Sequence, residues 1–132
     1  MRVVLDTNIL LSALMVRATP PDRIYEQWRH GRFELASTER QMDELKQVVR
    51  RPFFQARLKA SEIGRMVNDI RRFAVMCSRL PIVKRSPDPN DDYLLGLCQA
   101  AGADYLVTGD TAIFRTWYRP CCQRCPKAGS SA

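Results

Sequence analysis

The stretch Val3-Val4-Leu5-Asp6-Thr7-Asn8 decides the fold. A β-branched apolar run bounded by polar residues reads as a buried parallel strand, and such sheets open their ligand crevice at the carboxyl ends of the strands. Asp6 therefore belongs at the mouth of a site. An ionised carboxylate held at the rim of a buried sheet is costly unless something compensates it. Other acids recur in comparable places: Asp91-Asp92 at the opening of a helix, Asp110 just after Tyr105-Leu106-Val107-Thr108, and Glu44 beside the apolar stripe of a helix.

Outward from that strand, Asn8 to Leu14 is apolar enough for a short helix. Pro20-Pro21-Asp22 opens a second helix through Ile24 and Trp28 that Gly31 closes, because proline suits a helix start and glycine the left-handed cap. Phe33-Glu34-Leu35-Ala36 alternates as a second strand. Thr38 and Gln41 have the spacing of a capping box, and Met42, Leu45, Val48 and Val49 give helical periodicity until Pro52. From about Ser61 a further helix runs through Ile63, Met66, Val67, Ile70 and Phe73-Ala74, with Arg65, Arg71 and Arg72 on its wetter sides. Leu80-Pro81-Ile82-Val83 is a third strand, confined by its proline to a strand start or an edge. Asp88 can cap the next helix, Pro89 can begin it, and Gly102 ends it before the strand Tyr105 to Thr108. Helices alternating with short apolar strands predict an α/β fold with a mainly parallel sheet covered on both faces.

The 132 residues suffice for one domain with its own core. No apolar run approaches the roughly 18 residues of a membrane span, and no signal-peptide pattern opens the chain, so a cytoplasmic protein with no membrane partner is expected. The net charge of +7 around an acidic pocket suits a polyanion that meets metal at the site. Five cysteines fit no simple disulfide framework. Cys77 and Cys98 sit among apolar residues, and Cys121-Cys122-x-x-Cys125 falls short of the four ligands of structural zinc, with the one histidine, His30, far away in sequence.

Taken singly, each acid has an innocent reading. Asp91 and Asp92 suit a first helical turn, Asp110 a turn, and Glu44 an ion pair with Lys46 or Arg40. Gathered at adjacent strand ends, Asp6, Glu44, Asp92 and Asp110 would repel one another, and Mg²⁺ or Mn²⁺ would relieve that repulsion. Carboxylates holding such ions, commonly two about 4 Å apart, activate water for in-line attack on a phosphodiester without any His or Cys.

Val4-Leu5-Asp6-Thr7-Asn8, the Glu44 helix followed by Arg50-Arg51-Pro52, Asp88-Pro89-Asn90-Asp91-Asp92 and Leu106-Val107-Thr108-Gly109-Asp110 together resemble the PIN-domain family, and its bacterial toxin branch most closely. The likeness covers about residues 2 to 114. It implies a three-layer α/β/α sandwich, a metal-dependent endoribonuclease acting on single-stranded RNA, an antitoxin partner and a homodimer. By position, Asp6, Glu44, Asp92 and Asp110 match the family's acidic quartet as catalytic and metal-holding residues, with Asn8 and Thr108 in support and Asp91 as the alternative to Asp92.

The likeness weakens after Asp110, where the chain turns Arg-rich and Cys-rich. The expected organisation is a PIN-like domain over 1–117 and an irregular, disordered tail over 118–132, with a sheet edge left uncovered. The chief alternative is a catalytically weak module that binds RNA or a protein. A phosphatase would want an acid where Asn8 stands, no phosphate-binding glycine loop is present, and a helix-turn-helix reading leaves the strand-end acids unexplained.

Overall fold

A computed structural model describes residues 1–15, 18–81, 92–108 and 122–124, with the backbone alone for Asp92 and for 122–124. The elements run β1 (Arg2–Leu5), α1 (Thr7–Met15), α2 (Pro20–Arg29), β2 (Glu34–Ser37), α3 (Glu39–Val48), α4 (Pro52–Gln55), α5 (Ala60–Phe73), β3 (Val75–Met76), α6 (Asp92–Ala101), β4 (Tyr105–Val107) and β5 (Cys122–Arg124). The strand order is β3-β2-β1-β4-β5. The first four strands are parallel, and β5 runs antiparallel to β4.

Register explains how an all-apolar strand serves two layers. Val3 aligns with Leu35 and Tyr105, and Val4 with Ala36 and Leu106. Because successive side chains point to opposite faces, Val3, Leu5, Leu35, Tyr105 and Val107 pack with α1, α2, α3 and α5. Val4, Ala36 and Leu106 pack with α6. The result is the expected three-layer α/β/α sandwich. In α5, Ile63, Met66, Val67 and Ile70 make one buried stripe, the spacing a helix needs to bury a single face. Positive φ at Gly31 (73°) and Gly102 (61°) ends α2 and α6 as anticipated.

Several local readings need correction. The third strand is Val75–Met76, paired with Ala36 and Ser37, and not the run from Leu80. Leu80 and Pro81 lie outside any strand, and Ile82 and Val83 lie outside the described residues. Two residues carry no periodic signal; pairing with β2 is what makes them a strand. Thr38 is the N-cap of α3, but its side chain caps nothing. Gln41 is fully buried; its amide donates to the Leu5 carbonyl (2.6 Å) and its Oε1 accepts from Ser37 Oγ (2.5 Å). The supposed capping residue thus ties α3 to β1. Pro52 does not merely stop a helix but begins α4 at its first position.

Cys122–Arg124, expected in an irregular tail, pair as β5 with Tyr105–Val107, so this edge of β4 is covered. An edge strand needs only backbone groups opposite it, which side-chain patterning does not announce. The remaining tail residues, and Asp88 and Pro89 at the expected helix start, lie outside the described residues.

Candidate active site at the carboxyl ends of β1 and β4

β1 is the strand from which the order departs in both directions, toward β2 and toward β4. The crevice of an open α/β sheet forms at such a point. Asp6 closes β1 there. Its N–H donates to the Val107 carbonyl (2.9 Å), extending the ladder, and its carbonyl accepts from Ile9 and Leu10, starting α1. The strand is thus turned into a helix at this residue, which holds the carboxylate at the junction. Asp6 is 4% exposed, and its Oδ2 accepts from the Thr108 hydroxyl at 2.6 Å, across the ends of β1 and β4. Burial pushes the carboxyl above its ordinary range and the Glu44 charge adds to the rise, opposed by Thr108 and by the backbone N–H groups of Asn8 and Thr7.

Glu44 sits half-buried on α3. Opposite it is Tyr93, 5% exposed on α6. The Tyr93 hydroxyl lies 3.2 Å from Thr7 Oγ1, and the Glu44 carboxylate is near enough to favour its protonated form. Burial raises the phenol far above its usual value, and the charges on Glu44 and Asp6 reinforce this. The ring therefore keeps its proton. On the outer side, the Arg40 guanidinium carbon lies 4.7 Å from the Tyr93 ring centroid. The ion pair between Arg40 and Glu44 entertained from sequence is thus replaced by a stack on Tyr93.

The expected residues divide as follows. Asp6, Glu44 and Thr108 come together, and Asn8 contributes its backbone N–H while its side chain is exposed. The backbone sets Asp92 at the first position of α6, one residue before Tyr93; its side chain, Asp91 and Asp110 lie outside the described residues. Among the described residues no three His, Cys, Asp or Glu side chains form a metal-holding group. Thr7, Tyr93 and Gln41 were missed as parts of the site. Thr7 follows Asp6 directly and could have been suspected, whereas Tyr93 reads as an apolar helix residue until its hydroxyl is seen among polar partners.

A strand-end carboxylate is thus buried at the switch point, within electrostatic reach of a second one. The family model of the PIN domain matches residues 2–112, and the chain belongs to that family, whose members are generally nucleases. No curated protein matches the chain. Among the described residues, no helix is long and apolar enough to cross a membrane.

Proposed function

We propose that this protein is a divalent-metal-dependent endoribonuclease that cleaves single-stranded RNA in the cytoplasm, as the toxin of a toxin–antitoxin pair. The observation that carries the catalytic part is the Asp6 carboxylate, 4% exposed and raised in proton affinity by burial and by Glu44. Such a pair of like charges is unfavourable in the empty fold and favourable around a hard cation. The donor chemistry suits Mg²⁺ or Mn²⁺, with Asp6, Glu44, Asp92 and Asp110 as the holding residues and Asp91 as the alternative to Asp92. A cation bound there supplies Lewis acidity and a lowered pKa for water in phosphodiester hydrolysis.

The chain's own contribution is positional. Thr108 and the N–H groups of Thr7 and Asn8 orient the Asp6 carboxylate, and the Tyr93 hydroxyl meets Thr7 beside it. Thr108 and Asn8 are supporting groups in this reading. The net charge of +7 favours a polyanionic substrate. The toxin role, the antitoxin and a homodimer rest on the likeness of the four sequence motifs to the toxin branch.

The test is cleavage of a single-stranded RNA oligonucleotide with Mn²⁺ or Mg²⁺. Turnover should require metal, vanish with EDTA and fall at least a hundredfold, roughly, in Asp6→Ala, since even outer groups of metal sites are worth about 10- to 100-fold. Unchanged cleavage by Asp6→Ala would refute the mechanism. RNA binding without turnover in either metal would favour a binding module instead.

A further inference from the structure

We propose that Arg40 and Tyr93 act as one device that couples substrate grip to the acidic site: the Tyr93 hydroxyl braces Thr7 beside Asp6, while its ring presents the Arg40 guanidinium to a phosphate next to the scissile one. The proposal rests on the nuclease reading above and names how that site holds its RNA.

Arg40 and Glu44 stand one turn apart on α3, the spacing at which an Arg–Glu ion pair ordinarily forms. Among the described residues it does not form. The ion pairs among the described residues are Arg2–Glu34, Arg29–Asp69 and Arg71–Glu39. Arg71 grips Glu39 with two nitrogens, at 2.7 and 3.0 Å, and that guanidinium is committed. Arg40 is exposed and lies over the Tyr93 ring, with its charge in no ion pair among the described residues.

Tyr93 is a firm base for such a stack. It is buried, and its hydroxyl meets Thr7 Oγ1 at 3.2 Å, next to Asp6 in the chain. A guanidinium already held on a ring has less freedom to lose when it meets a phosphate, and its planar fork fits phosphate oxygens in pairs. The geometry also separates two roles. The ring side faces outward, toward a charge that can bind the strand in ground and transition states alike, and such binding acts on KM. The hydroxyl side touches a residue of the reaction site, so its loss acts on kcat.

Steady-state cleavage of a single-stranded RNA by the full chain in Mn²⁺ tests this with Arg40→Ala, Arg40→Lys, Tyr93→Phe and Arg72→Ala. Arg72 is the control, since it stacks on Phe73 (5.2 Å), a residue that shares a cavity with Glu34 at the opposite, amino end of the strands. Arg40→Ala should raise KM about tenfold with kcat nearly unchanged, and flatten the slope of log affinity against log salt by about 0.7, the value of one phosphate contact on a single strand. Arg40→Lys should recover only part of the loss. Tyr93→Phe keeps the ring, so KM should hold while kcat falls about tenfold, as for a group that orients a site ligand. Arg72→Ala should behave as wild type.

An Arg40→Ala protein with unaltered KM and salt slope overturns the proposal, as does one whose kcat falls in step with that of Tyr93→Phe. If the wild type proves not to cleave RNA, the nuclease reading fails separately. The Arg40 contact is then still judged by the salt slope of oligonucleotide binding.

Discussion

Burying the Asp6 carboxyl costs stability whenever it is charged, and this gives the residue a pH signature of its own. Its ordinary value is 3.8 and the folded chain raises it, chiefly by desolvation. Between the two values the folded state binds more protons than the unfolded one, so stability declines as pH rises through that window. The stabilising contribution is complete below 3.8 and gone above the raised value. Asp6→Asn retains an acceptor for Thr108 and for the backbone donors without the charge. In EDTA at pH 7 it should therefore have a higher urea midpoint than wild type and a flatter pH profile above pH 4. Adding Mn²⁺ should stabilise wild type more than the variant, closing the gap. An Asn variant less stable than wild type in EDTA would show that the carboxylate is compensated within the protein.

A close contact fixes each of α3 and α6. Gln41 joins α3 to the end of β1 one turn before Glu44, so the distance between Glu44 and Asp6 depends on it. Gln41→Ala strands the Leu5 carbonyl and leaves a void, and should cost about 2–3 kcal/mol in urea unfolding. Gly96 is the other. A Cβ there would lie 2.5 Å from the Pro81 carbonyl oxygen, a backbone atom that cannot simply swing aside. Alanine gains about 1 kcal/mol of helix propensity, but the overlap costs about 1–3 kcal/mol. Gly96→Ala should be net destabilising by roughly 1 kcal/mol, and an increase in stability would mean that α6 does not run so close to Pro81.

At the scale of the molecule, the net charge is opposite in sign to the local charge at the site. The net charge is +7, yet the charge on Glu44 is felt by the buried Asp6 carboxyl at the sheet's carboxyl end. A polyanion is drawn by the net positive charge, and cations would screen it from the acids of the site. Binding of single-stranded RNA should therefore weaken steeply with salt, log affinity falling by about 0.7 per phosphate contact for each tenfold rise in concentration. Binding measured by fluorescence anisotropy over a salt series checks this; an affinity indifferent to salt would leave the surface charge without a role in capture.

The strand that carries Asp6, the amphipathic helices, the glycine that ends α2 and the layered class of the fold were determined by the sequence itself. Each follows from local rules: the period of apolar residues, the fixed φ of proline, the freedom of glycine. Tertiary structure alone decided the rest. Val75–Met76 and Cys122–Arg124 become strands because β2 and β4 offer them backbone partners. Gln41 abandons a cap for a buried carbonyl, and Tyr93 turns its hydroxyl to Thr7 across 86 positions of sequence. No periodicity encodes such contacts, since they join buried polar atoms that only the fold brings side by side.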